Sequence, residues 1–534
     1  MPDRDATEAR TPHSAVIVPP ANRKRRSRPR QPDAALPRIR MRAYLALILL
    51  VLTAFSPLLQ SDLVWSEYDT VERCAYHSMP NWQAAWKIEN LRQHDPLSIS
   101  SYFLEQAIPL PPSTVHHGIN ILLHLLAAIL LLKSLQALQL SAAFSATLVF
   151  ALHPATIQTL FWSGYRTEIM GLIMILSALL FGIRNRNAAD YAATLLFTTI
   201  GCLTHPAAYA TPLILALIIF YQHPKAKLHD FNRVLPLICL GLFLSVWAAD
   251  SPDATASQLS LTDRLNYAGQ NMSFFTHQAL LPLNRELFHV FEPIGIALKI
   301  DHTNQLTLVL LLGALPLIAC NLSKGWSRAL LLGLSSYLLL LLYGLIHHGQ
   351  FIDGSLAHET HRLYIALPFL LAFLITALGS HIKHLGRAVK SLLIIGFGVL
   401  LLIEITLTAS FAQHIAAPSR MWHSMIERWP DAWQPKAALV DHAQQTEQAS
   451  LTQAQITQHL EFILQRRPDL LDKRLLLART LRAQGQNSNA TREYKRILRD
   501  TEQPDNQLLA EAADFFDTIG LRWEANNARQ RMRD

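Results

Sequence analysis

VHHGINILLHLLAAILLLKSLQAL (Val115–Leu138) and FSATLVFALHPATIQTLFWSGYRTE (Phe144–Glu168) are the two segments from which the rest of this chain can be read. Both are apolar enough to lie in a membrane. Together they carry His117, Asn120, His124, His153, Trp162 and Arg166 at or near one face of it. Polar and ionisable side chains at a bilayer boundary are costly, so a group of them needs a reason to be there. In a polytopic protein the reason that fits is a site for something charged, such as a lipid-linked phosphate.

Outward from this pair the apolar pattern repeats. Of 534 residues, 51% are hydrophobic, and the mean hydropathy is +0.19, which excludes an ordinary soluble protein. Apolar runs of about 17–25 residues are membrane-span candidates. We expect about eleven of them, near 43–60, 118–138, 141–153, 168–184, 189–204, 207–222, 232–249, 306–322, 327–347, 363–381 and 390–411. The domain plan is a disordered basic tail over 1–40, a membrane domain over 41–411 and a soluble helical domain over 412–534.

Charge orients this plan. Arg23, Lys24, Arg25, Arg26, Arg28, Arg30, Arg38, Arg40 and Arg42 precede the first apolar run. A basic tail can bind nucleic acid, but directly before a span it reads as a cytoplasmic anchor under the positive-inside rule. The run lacks a small-residue cleavage site and reads as an uncleaved anchor. With the N-terminus inside, the cytoplasmic turns hold Arg184 and Arg186, Lys225 and Lys227, Lys324 and Arg328, then Lys383, Arg387 and Lys390. Segments 61–117, 250–305, 348–362 and everything after about 412 then lie outside. His153, Trp162, Arg166, His205, His358, Glu359, His361 and Arg362 all fall on that outer face. The placement expected is a multi-pass protein of the inner (cytoplasmic) membrane with a periplasmic C-terminal domain.

The four cysteines, Cys74, Cys202, Cys239 and Cys320, form neither a disulfide framework nor a CxxC pattern. The sequence holds no P-loop, dinucleotide fingerprint or Gly-x-Ser-x-Gly elbow. After the last span the chain repeats itself. Gly485 and Gly520, and Ala490 and Ala525, are each thirty-five positions apart, close to the tetratricopeptide period of about 34. A degenerate earlier copy is expected near Pro430-Asp431-Ala432-Trp433. Stacked pairs of this kind form a concave, peptide-binding type of surface.

Chemistry can be assigned to a few positions. Glu67 and Asp69 stand in SDLVWSEYDTV, just after the first span. A carboxylate there can act as general base on a hydroxyl, or the two could hold a divalent cation through oxygen ligands. The segment NWQAAWKIENLRQHDPLSISSYFLEQAI, with Trp82, Trp86, Ile88 and Leu91, reads as an amphipathic helix at the interface. Arg166 and Arg362 suit phosphate, which a guanidinium grips with two hydrogen bonds. Interfacial snorkelling is the alternative for either. His117 and His124 are seven apart, not at the i, i+4 spacing of a zinc site, and they read best as hydrogen-bonded packing histidines.

The segments HHGINILLH, FALHPATIQTLFWSGYRTE, RLNYAGQNMSFFTHQALLPLN and HRLYIALP, with tetratricopeptide-like repeats after the last span, resemble one family. It is the transmembrane and tetratricopeptide-repeat O-mannosyltransferase-like group of type C glycosyltransferases. The resemblance covers most of residues 60–530 and is most specific over 95–170. It implies an all-α fold: a polytopic bundle of the type C kind followed by an α-solenoid. It also implies transfer of a sugar from a polyprenyl-phosphate donor to a protein hydroxyl. The family's acidic pair falls on Ser66-Glu67, with Asp69 following. Its H-x-x-N-x-x-x-H histidines and asparagine match His117, Asn120 and His124, its His-Pro pair matches His153-Pro154, and its tryptophan and arginine match Trp162 and Arg166. Gln158 stands where an acid is usual, Thr204-His205-Pro206 where a Ser-Lys-Glu-like segment is usual, and His361-Arg362 where a Glu-Arg pair is usual, with Glu359 nearby.

The resemblance makes Glu67 and Asp69 the expected catalytic acids. It makes His117, Asn120, His153, Trp162, Arg166, Glu359, His361 and Arg362 the expected donor-phosphate and sugar contacts. No cofactor is required, although a divalent cation could sit at Glu67 and Asp69. The partners are a polyprenyl-phosphate-linked sugar, membrane lipids and an exported acceptor protein held by the repeats, with no nucleic acid. Two further readings stay open: a glycosyltransferase acting on a glycan or lipid in envelope polysaccharide modification, and a non-catalytic membrane scaffold.

Overall fold

The computed structural model describes residues 40–532, apart from 62–80, 88–90, 92–94, 141, 250–271, 283–287, 290–324, 348–357, 383–384, 446–450 and 502–503. Glu67 and Asp69, the expected span at 306–322 and most of the segment 250–305 lie outside the described residues.

The described chain is helical, with one two-residue bridge. Its membrane-type part contains α1 (Met41–Phe55), α2 (Pro96–Glu105), α3 (Pro112–Ala137), α4 (Ala143–Leu152), α5 (Ile157–Phe161), α6 (Arg166–Arg184), α7 (Ala188–Thr204), α8 (Thr211–Gln222), α9 (Leu235–Ala249), α10 (Gly325–His347), α11 (Leu363–Ile382) and α12 (Arg387–Ile415). The bridge pairs β1 (Phe288–His289) antiparallel with β2 (His358–Glu359).

Among the described residues, five helical segments are long and apolar enough to cross a membrane: Met41–Gln60, α3, α6, α11 and α12. A sixth arises if α4 and the Pro154–Phe161 segment, bent by 54° at His153, count as one broken span. Four more apolar helices, Ala188–Thr204, Pro206–Gln222, Leu235–Trp247 and Gly325–Leu341, are shorter. Helix α3 starts earlier than the apolar run implies, because Pro112 fits the first helical position, where an N–H would have no partner. His116 and His117 therefore lie inside the helix. Burial separates the centre of the bundle from its rim: 72% of the apolar window of α6 is buried, against 11% for α12.

The segment expected as one interfacial helix is two elements. A 3-10 turn at Trp82–Trp86 is followed by α2. The break follows from Asp95-Pro96: the proline starts a helix well and continues one badly, and the Asp95 carboxylate caps α2 by accepting from the Leu97 and Ser98 N–H groups. Trp86 Nε1 donates to Ser100 Oγ at 2.9 Å and ties the turn to the helix.

After α12 the chain continues as α13 (Pro418–Arg428), α14 (Gln434–Gln445), α15 (Gln453–Arg466), α16 (Leu471–Ala483), α17 (Asn487–Asp500), α18 (Asn506–Thr518) and α19 (Arg522–Arg531). Helices α16–α17 and α18–α19 are two hairpins on one plan. Gly485 and Gly520 both adopt left-handed backbone, at φ +72 and +80. Each N–H closes on a carbonyl three residues back, Arg482 and Asp517, and the following N–H reaches Leu481 and Phe516. This is the closure that left-handed glycines make at helix ends. Ala490 and Ala525 are buried at the matching inner positions. Position 450, one period earlier, lies outside the described residues.

A side chain at either glycine would meet no heavy atom within 4 Å, so the cost of substitution there is backbone strain alone. Gly485→Ala and Gly520→Ala should each cost about 1 kcal/mol, from the left-handed penalty on L-residues. Thermal unfolding of the detergent-purified protein should show both drops, with Asn at either position costing less.

Candidate functional site

One end of the bundle gathers its ionisable groups, and α6 organises them. Its first turn presents Arg166 and Glu168, and each anchors a cluster.

Arg166 is wholly buried. Its guanidinium pairs with Glu105 at the end of α2, and His116 Nδ1 meets the other oxygen of the same carboxylate. Arg166 Nε donates to Asn120 Oδ1 at 2.8 Å and Nη1 to Ser101 Oγ at 2.9 Å, and Nη2 reaches the His116 carbonyl at 3.4 Å. The Tyr102 ring lies 4.6 Å from the guanidinium. Asn120 completes its own set by donating to the Leu160 carbonyl at 3.1 Å. Arg166 thus gives its donors to protein acceptors, and reaching a phosphate would mean breaking that network.

Glu168 anchors the second cluster. His205 Nε2 stands 3.1 Å from one carboxylate oxygen and His361 Nε2 3.5 Å from the other. The His361 backbone N–H donates to Gln158 Oε1 at 2.9 Å, so this amide holds the turn before α11. Arg362, next in the chain, is half-buried.

An aromatic file joins the clusters. His117 stacks on Phe161 (5.6 Å between centroids, 5°), Phe161 meets Trp162 edge-on (6.1 Å, 75°), Trp162 leans on Tyr165 (5.6 Å, 49°), and Tyr165 stacks flat on His361 (3.7 Å, 15°). His117 is wholly buried, and the backbone of Leu160 and Phe161 lies close to it. Among the described residues, neither of its ring nitrogens has a partner in full hydrogen-bond geometry, although the Leu160 and Phe161 backbone is within reach of the ring. Below it, His124 is fully engaged, with Tyr364 Oη at 2.8 Å from Nδ1 and the Ala151 carbonyl at 3.0 Å from Nε2.

His153 sits at the bend after α4. Its Nδ1 accepts the Ala155 N–H and its Nε2 faces the Ala279 carbonyl at 3.2 Å. Of the expected contacts, the structure brings His117, Asn120, Trp162, Arg166 and His361 into one connected constellation, with Arg362 adjoining His361 in sequence. His153 flanks it, and the Glu359 side chain and both expected acids lie outside what is described.

Sequence reasoning did not single out Glu105 or Glu168, and it placed His205 on the outer face without giving it a role. A usable signal was present: His-Pro-Ala occurs at 153–155 and again at 205–207. In both copies the histidine ring accepts the N–H two residues on and opens a 3-10 turn. Gly171, one turn further along α6, gives His205 its place, since a Cβ there would sit 2.7 Å from His205 Cβ. Among the described residues, no group of three or more His, Cys, Asp or Glu side chains is placed to hold a metal ion. Comparison with known proteins finds no family model that matches the chain and no curated protein that matches it.

Two predictions come from this geometry. Removing one partner of a buried ion pair strands the other, at about 3–5 kcal/mol. Glu105→Gln and Arg166→Met should each lower the unfolding temperature strongly, and the Glu105→Leu/Arg166→Met double variant should recover most of the loss. The second concerns Asp95. Part of the residue reaches the surface, but its Oδ2 is buried without a hydrogen bond. Burial pushes the carboxyl up from 3.8 to about 6 against the pull of the Ser98 and Leu97 hydrogen bonds. The folded chain therefore favours the neutral acid, and stability falls as pH rises from 3.8 to about 6, staying low above that. Asp95→Asn keeps a capping oxygen. It should be more stable than the parent at about pH 7, with the advantage gone at acid pH, as read by unfolding at both.

Proposed function

We propose that the protein is a membrane glycosyltransferase of type C. It moves a sugar from a polyprenyl-phosphate-linked donor to a Ser or Thr hydroxyl of an exported protein, at the outer face of the inner membrane and with inversion. In this reading the chain crosses the membrane eleven times, its N-terminus is cytoplasmic, and the C-terminal hairpins are tetratricopeptide repeats that present the acceptor.

His117 carries the reading. A wholly buried imidazole whose nitrogens meet no well-aligned partner among the described residues is uncommon in a finished interior, and a ligand or ordered water that completes it accounts for one. It stands in an aromatic file between two charged clusters at the end of an apolar bundle, which suits a phosphate on a lipid. Preorganised donors around a leaving phosphate are the largest expected contribution in such a dry site. We assign His117, His361 and Arg362 to that phosphate. Arg166 and Glu105 hold Asn120 and the start of α3 in place. Glu67, with Asp69, takes the acceptor hydroxyl proton as its oxygen bonds to the anomeric carbon and the bond from that carbon to the phosphate oxygen breaks.

Intact-mass analysis of exported proteins tests the reading in a parent strain, a deletion strain, and the deletion carrying Glu67→Gln or His117→Leu. The deletion should lose a sugar-sized increment, and neither variant should restore it. His117→Leu removes a buried polar group, so it should fold at least as stably as the parent while transfer falls by about 10²-fold, the scale of losing one leaving-group donor. No mass difference between parent and deletion would overturn the protein-acceptor reading.

A further inference from the structure

Glu168 on α6 lies between two imidazoles that arrive from separate breaks in the bundle, and all three residues are buried. A carboxylate in an apolar interior keeps its charge only beside a counter-charge. The two histidines are not equivalent candidates to supply it. His205 Nδ1 accepts the Ala207 N–H at 3.1 Å, which leaves the ring proton on Nε2, facing Glu168. A second proton would set an Nδ1–H against the Ala207 N–H and undo the turn that begins at Pro206. The cap at Ala207 therefore fixes which nitrogen of His205 faces Glu168. The hydrogen bond that fixes His361 to Gln158 comes from its backbone, not its ring. Its ring stacks flat on Tyr165 at 3.7 Å, a surface that favours a cation.

Other charged and titratable groups reach this pair from the elements around it. Arg362 follows His361 in the chain, Asp95 at the head of α2 acts on His205, and Tyr364 on α11, bonded to His124, feels Glu168.

We propose that Glu168 holds His361 as the imidazolium, so that His361, with Arg362 next to it in the chain, presents cationic charge to the donor phosphate. Glu168 is the positioning residue in this scheme. The identity of the anion rests on the glycosyltransferase reading, and the charge assignment does not.

Solid-state NMR of the full protein, labelled at the histidine ring nitrogens and held in lipid bilayers at about pH 7, separates the two. Ring nitrogen shifts distinguish imidazolium from either neutral tautomer. One imidazolium signal should vanish in His361→Gln and in Glu168→Gln and persist in His205→Gln, which should instead lose an Nε2–H signal. The His124 signal, fixed by Tyr364 and Ala151, reports in each variant whether the bundle is folded. Farnesyl phosphate added to the bilayer should shift the imidazolium signal. If no imidazolium signal is lost in His361→Gln, or if the one lost there is lost also in His205→Gln, the charge assignment is overturned. An imidazolium that is present but unmoved by farnesyl phosphate overturns the phosphate face and leaves the charge assignment standing.

Discussion

The pairing of Arg166 with Glu105 fixes the end of the bundle on which everything else rests. A guanidinium and a carboxylate deprived of water are tolerated only in good geometry with their remaining hydrogen-bonding capacity filled. Here Asn120, Ser101 and the His116 carbonyl fill it. Three helices, α2, α3 and α6, are held in register by one side chain. The same register puts Glu168 at the foot of the second cluster and His117 against Phe161. A shift of α6 by one residue would turn Arg166 and Glu168 by about 100° and dissolve both clusters at once.

How much of this the sequence disclosed depends on the kind of signal. Apolar runs mark helices well, because a segment that must satisfy its own backbone in an apolar medium has to be helical. Helices α3, α6 and α11 lie where such runs lie. Helix ends were harder: Pro112 extends α3 and Asp95-Pro96 splits the segment after Trp82, both through backbone chemistry that hydropathy does not register. The thirty-five-residue offset of Gly485 and Gly520 was legible because a left-handed helix end needs glycine, and the two closures are alike bond for bond. The candidate site was legible by residue type and not by role. Arg166 looks the same in sequence whether it faces a phosphate or Glu105, and only the burial of Glu105, one acid among many in a polar segment, tells the two apart.

The two His-Pro-Ala breaks give the bundle a way to bring polar groups to one end without exposing backbone. Each proline interrupts a helix and leaves amides unmet, and each histidine answers by accepting the N–H two residues on. The ring that caps the break also sets its own tautomer and turns Nε2 toward a partner, the Ala279 carbonyl in one case and Glu168 in the other. A structural repair therefore decides which ring nitrogen meets the partner, a constraint that the ring of His361, whose hydrogen bond to Gln158 comes from its backbone, does not share.

The helix that leads toward the C-terminal hairpins is tied to the same end of the bundle. Helix α12 runs from the rim into α13, and the apolar core continues through Phe411, Ala412 and Ile415 to Met421, Trp422 and Met425. Near the end of α12, Thr408 Oγ1 donates to the Leu152 carbonyl at 2.7 Å, one residue before the His153 break. The carbonyl that the broken helix leaves unmet is thus satisfied by the helix that carries the hairpins. Any movement of the hairpins that drags the end of α12 must release that carbonyl inside an apolar core, at the cost of an unsatisfied buried acceptor, about 1–3 kcal/mol. The end of α12 is in this way tied to the His153 break.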